Sequence, residues 1–462
     1  MLRLLGKWFK VYEDEVGIFL WCAVLFFLIR SSSIVFTNFA ETTFLKRYGV
    51  EYLPIVMVAN SICTFFIMAL LTGIMVRTPG SRLLTYMFLF CGGSVAGLRF
   101  VIPLGFDLLY PVLYLLKAQY EALLALAFWN LANDLFNTRQ SKRLFPLITA
   151  GGVLGGIVGS FGTPFLARAI SLDNLMWVYL ATSIAGAMTA KRMGSRFPTL
   201  LLSDKKGGKK KSRSSIIKEF KKVLPLIRES TLVKIIIILA LMPNVVLPLM
   251  NYQFNFAIDQ TFATEGKMLY FFGYFRGVLN IISLIILLFV ARIYSRWGLP
   301  VALMFHPFNY ILAFIAFLFR FDIFSAMYAR VSTRVLATTI NNPARAVLMS
   351  LFPVSYRAVI RPFLRGTVVR IGLLIGAGFI ILSESLVHPR YLSVVAFFFV
   401  GAWIVSNFFL KRGYSKILLD LISKNMLNLK SMEEGDVGHV FKDRAIQSQL
   451  VQAFLSARGD HC

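Results

Sequence analysis

Long apolar runs alternate along this chain with short stretches in which Lys, Arg, Gly and Pro collect. A membrane-spanning helix needs about 20 predominantly apolar residues. The pattern predicts twelve, at 16–40, 52–76, 83–105, 108–136, 147–170, 173–190, 231–258, 268–292, 298–320, 322–348, 362–386 and 390–411. The longest break lies between the sixth and the seventh, where the run KKGGKKKSRSS has no apolar surface to bury. The organisation expected is an N-terminal six-helix bundle at 1–190, a basic cytoplasmic linker at 191–230, a C-terminal six-helix bundle at 231–412 and a cytoplasmic segment at 413–462.

Within the linker, Ile216, Ile217, Phe220, Val223, Leu224 and Ile227 alternate with lysines, which fits an interfacial helix on an anionic leaflet as well as a solvated loop that only sets topology. The two halves also share local features. Asn60 and Asn280 sit in the second and eighth stretches, each following a short loop, and VRTPGSR and ARIYSRWG follow those stretches. The fifth stretch carries Gly151, Gly155, Gly159 and Gly162, and the eleventh Gly366, Gly372, Gly376 and Gly378. Small residues at such spacings let helix backbones approach closely. Matches in corresponding positions predict a duplicated six-helix unit.

Composition removes the soluble alternative. The chain is 57% hydrophobic with a mean hydropathy of +0.71, which leaves too little polar surface for a globular domain in water. The formal charge of +27 sits mostly in loops, where it orients the helices, so nucleic acid is not the expected partner. Lys7, Lys10, Arg82, Arg143, Arg292, Lys411 and Arg412 fall on the side of the termini, against fewer on the other side such as Lys46, Arg47 and Lys267. Both termini are therefore expected in the cytoplasm. The first 15 residues show no cleavage site after a short apolar run, so the first membrane helix is expected to do the targeting. Four cysteines without paired spacing indicate neither a disulfide framework nor a zinc site, and no metal or cofactor motif is present.

The candidate chemistry lies in polar side chains inside apolar stretches. An Arg at the centre of a membrane helix costs roughly 2.5–3.5 kcal/mol on insertion scales, so it should face a polar interior. At about 100° per residue, Arg330, Arg334, Thr338, Asn341 and Arg345 share a face of the tenth stretch, with Arg345 near its cytoplasmic end. Arg30 shares a face with Ser33, Thr37 and Glu41, Arg276 with Asn280 and Ser283, and Arg370 lies about two turns into its stretch. Asn244, Asn251 and Asn255 line one side of the seventh stretch, with Pro243 and Pro248 placed to kink it. Lys117 and Glu121, one turn apart, fit either an intrahelical ion pair or a gate. Five arginines at this depth, with Glu121 as the main deep carboxylate, predict an anionic cargo that supplies the missing charge. Arg30, Arg276, Arg330, Arg334, Arg370, Asn244 and Asn251 are the expected substrate ligands, and Lys117 and Glu121 the expected coupling or gate pair.

Four segments, FLKRYGVEYLPIVMVAN (44–60), FWNLANDLFNTRQSKRLFPLITAGG (128–152), NYQFNFAID (251–259) and NNPARAVLMSLFPVSYRAVIRPFLRGTVVRIG (341–372), resemble the major facilitator superfamily. Within it they are similar to the nucleotide transporter group that includes the ATP/ADP translocases, with NYQFNFAID nearer the divergent bacterial members. The resemblance implies an all-α polytopic membrane protein of twelve helices in two pseudo-symmetric bundles of six, in a bacterial inner membrane. It also implies transport of a phosphorylated anion by two halves rocking about a central site, with antiport standing beside symport and uniport as the possible modes. A flippase or exporter of an anionic lipid and a non-transporting scaffold or sensor remain the other readings, and the sequence is silent on oligomeric state. A membrane enzyme finds little support, because none of the four histidines stands at a telling distance from a nucleophile or carboxylate.

Overall fold

The computed structural model describes residues 12–75, 78–136, 138–197, 231–297, 299–341, 360, 363–384 and 386–423, and among these the regular structure is all helical. In chain order the elements are α1 (Glu13–Thr43), α2 (Leu53–Met75), α3 (Gly80–Arg99), α4 (Leu109–Leu135), α5 (Thr138–Ile170) and α6 (Leu175–Arg196). They continue with α7 (Thr231–Thr261), α8 (Glu265–Trp297), α9 (Leu299–Phe319), α10 (Ile323–Val331), α11 (Val369–Glu384) and α12 (Leu392–Ser423). Helix is the expected answer to this composition, because lipid offers a peptide group no partner and a helix satisfies each one internally.

Among the described residues, nine helices are long and apolar enough to cross a membrane. The other three are α6, which ends in Lys191, Arg192 and Arg196, α9, whose apolar part Leu303–Phe319 is shorter, and α10, which carries Arg330. The linker's amphipathic stretch, residues 424–462, Arg345 and Arg361 lie outside the described residues. Residues 413–423, at the start of the segment expected in the cytoplasm, continue α12 without a break to Ser423.

Among the described residues, three π-helical segments interrupt the regular pattern: Phe44–Tyr48 after α1, Ser332–Asn341 after α10 and Leu364–Val368 before α11. The first ends at Gly49, whose φ of 122° is open to glycine and strained for other residues, and whose N–H donates to Phe44 O at 3.0 Å. At the start of α10, Asp322 accepts from the Ser325 N–H at 3.0 Å and caps the helix.

The chain packs as two compact units, Met1–Lys211 with Ile258–Leu284, and Ser212–Ala257 with Ile285–Cys462. In the first unit, α5 lies on α1 through its glycines: a methyl on Gly159 would fall 3.0 Å from Ser31 Cα and nearer still to its carbonyl. Gly155 is equally tight against Phe27, whereas Gly162 faces open space. The same unit takes in the first part of α8, since a methyl on Gly273 would strike Pro164 and one on Gly277 would strike Phe161, each at 2.6 Å. In the second unit, α11 lies on α7 in the same manner. A methyl on Gly372 would meet Leu241 O at 2.9 Å, and one on Gly376 would meet Pro248 Cγ at 3.0 Å. The glycine-rich fifth and eleventh stretches thus each meet the first helix of their own half, which is the relation a duplicated unit requires.

Candidate functional site

In the first unit, charged side chains from three helices pair inside the bundle. Arg30 of α1 donates to Glu121 of α4, and Lys117 of α4 donates to Glu41 Oε1 at 2.6 Å. The other oxygen of Glu41 accepts from Arg276 of α8, whose second guanidinium nitrogen donates to Asn38. Asn38 is held in turn by donating to Thr163 Oγ1 of α5 at 3.0 Å. Lys117 Nζ stands 3.4 Å above the Tyr114 ring, and Arg276 Cζ 4.8 Å from that of Phe272. The side chains of Lys117, Glu41 and Arg276 are only 7%, 8% and 12% exposed, so a charge left there without its counter-ion would be costly.

These pairings change the picture drawn from the sequence. Lys117 and Glu121 each reach to another helix, so neither is explained by an intrahelical pair alone. Glu41 is a second deep carboxylate, and with Glu121 it neutralises two of the five arginines for which cargo was expected to supply the charge. Glu41 is legible in the sequence as a neighbour of Arg30 on one helical face. Its actual partners come from α4 and α8, which no spacing along α1 shows.

In the second unit the arginines have different company. Arg330 is 8% exposed, donates to Asn251 Oδ1 of α7 and has its Cζ 4.5 Å from the Phe254 ring centroid. Arg334 is exposed and lies on the π segment after α10, and half-buried Arg370 lies two residues past the π segment before α11. Among the described residues, neither Arg334 nor Arg370 meets a carboxylate. Asn255 donates back to Asn251 O at 2.8 Å. Asn244 donates to Ala240 O at 2.6 Å and abuts Gly372, so it faces α11.

The single cationic stripe expected of the tenth stretch holds only as far as Val331. Beyond it the π turns replace the 100° step, and Arg330 and Asn341 are buried while Arg334 and Thr338 are exposed. The π segment after α1 carries two more cations with partners in the same unit. Lys46 pairs with Asp259 at 2.8 Å, and Arg47 with Glu265 at 2.8 Å and Asp173 at 3.0 Å. Arg99 donates to Asn174 at 3.1 Å and ties the end of α3 to the start of α6.

The family described as TLC ATP/ADP transporter matches residues 93–349, more than half of the chain. No curated protein matches by sequence. Among solved structures, the nucleoside transporter NupG is 16% identical at a TM-score of 0.58, covering 84% of this chain and 97% of its own. The xylose transporter XylE from E. coli, in an inward-open conformation, is 11% identical at 0.55, covering 85% and 95%. A bacterial homologue of the iron transporter ferroportin, inward-facing, is 13% identical at 0.57, covering 85% and 97%. At such identities the likeness shows the fold, that of the major facilitator transporters.

Proposed function

The chain belongs to the TLC ATP/ADP transporter family and is a multi-pass membrane transporter, and from that premise we propose that its cargo is an organic, phosphorylated anion of the nucleotide class. It works by alternating access in a bacterial inner membrane, with both termini in the cytoplasm. The observation that carries the anion is Arg334 and Arg370, two cations of a membrane protein that meet no carboxylate among the described residues. Arginine suits phosphate because its planar fork donates two parallel N–H bonds to an oxyanion. Arg330, oriented by Asn251 and Phe254, stands four residues before Arg334 in the chain.

The test is uptake of radiolabelled ATP, ADP and other organic anions into vesicles holding the purified protein. Arg334→Ala is expected to lose uptake by ~10–100-fold, the loss of one charge-assisted contact, while the protein still inserts and unfolds at its usual temperature. Uptake at the wild-type rate for every anion that the wild type carries would overturn the proposal.

A further inference from the structure

The arrangement around Glu41 goes beyond what an anion site on the second unit requires. Two buried cations, Lys117 from α4 and Arg276 from α8, converge on the two oxygens of one carboxylate from α1. Both cations are held from other directions as well, Lys117 over Tyr114 and Arg276 by Asn38 and Phe272. They therefore form a fixed pair of donors. A carboxylate bridging two such donors presents the geometry that two oxygens of a phosphate group can take.

We propose that Glu41 is a resident counter-ion: it occupies, on Lys117 and Arg276, the place that an anionic group of the cargo takes when cargo is bound. This rests on the anion-transport reading and concerns contacts within the first unit alone. With the carboxylate present, the empty carrier keeps these two cations neutralised and can change conformation without cargo. Without it, Lys117 and Arg276 lose the carboxylate they share, and an anion from solution can take its place. Glu41 thus permits net transport, and its loss turns the protein into an obligate exchanger.

Two measurements on the full-length protein test this. In vesicles, radiolabelled ATP uptake is followed with the lumen empty or preloaded with unlabelled ATP. Glu41→Gln should keep exchange within about threefold of wild type while losing net uptake by at least about tenfold, and Glu41→Asp should restore net uptake. In detergent, inorganic phosphate and pyrophosphate should raise the unfolding temperature of Glu41→Gln more than that of wild type, since a ligand bound only to the folded state stabilises it. Adding Lys117→Met, which removes one of the two cations, should abolish that extra response.

Equal loss of exchange and net uptake in folded Glu41→Gln would overturn the proposal. So would a phosphate response no larger than that of wild type. If wild type carries no ATP and phosphate still stabilises Glu41→Gln selectively, the counter-ion stands and the transport reading falls.

Discussion

In the first unit Arg30, Lys117 and Arg276 each end on a carboxylate carried by another helix, whereas in the second Arg330 ends on the amide of Asn251 and on Phe254. Arg334 and Arg370, also in the second unit, meet no carboxylate among the described residues. What separates Arg30, Lys117 and Arg276 from Arg334 and Arg370 is that, among the described residues, a carboxylate lies against the first three and not against the last two. Arg30, Lys117 and Arg276 sit on regular α-helix, whereas Arg334 lies on a π segment and Arg370 two residues past one; the paired Lys46 and Arg47 lie on a π segment as well.

The strongest way to break this comparison is to remove one charge from each side. Glu41→Ala leaves two buried cations without their carboxylate and should cost ~3–5 kcal/mol of stability, read as a fall in the denaturant midpoint in detergent. Arg334→Ala, at an exposed position, should stay within about 0.5 kcal/mol of wild type in the same measurement. Similar stability losses in the two variants would erase the distinction between the units.

The shared packing is the next point to probe. Gly159→Val and Gly376→Val each drive a side chain into a neighbouring backbone and should destabilise by ~1–3 kcal/mol. Gly162→Val and Gly378→Val point into open space and should leave the unfolding midpoint nearly unchanged. A large loss from only one member of the first pair would show that the two halves do not share this contact.

The smallest effect concerns the loop before α12. There burial, and then the charge of Arg390, lower the pKa of His388, whose Nδ1 accepts from the Arg390 N–H at 3.2 Å. A histidine held below its ordinary pKa binds fewer protons folded than unfolded, so its contribution is present above about pH 6.5 and is lost as pH falls through the lowered value. Wild type should lose slightly more stability on acidification than His388→Phe, in thermal unfolding followed at several pH values. Identical pH profiles would remove His388 from the account.

Much of the architecture was legible because lipid imposes a coarse rule on sequence. A stretch that crosses must be apolar for about 20 residues and helical throughout, and each of the twelve stretches holds helix among its described residues. The glycines of the fifth and eleventh stretches announced close contacts, though they did not say with which helix. Arg30, Arg276 and Arg330 were visible as polar side chains out of place. Their partners were not, because Arg30 and Glu121 stand 91 residues apart, Lys117 and Glu41 76, and Arg276 and Glu41 235. The π turns were also invisible, since a hydrophobic pattern read at 100° per residue assumes the α-helical step it is meant to test.

By itself, then, the sequence determined that this is a helical membrane protein with a repeated half and cations inside it, because periodicity and transfer cost act residue by residue. Only the tertiary structure decided which of those cations are already neutralised. The sign and distance of a counter-ion depend on which helices become neighbours, and that is settled by packing between stretches far apart in the chain.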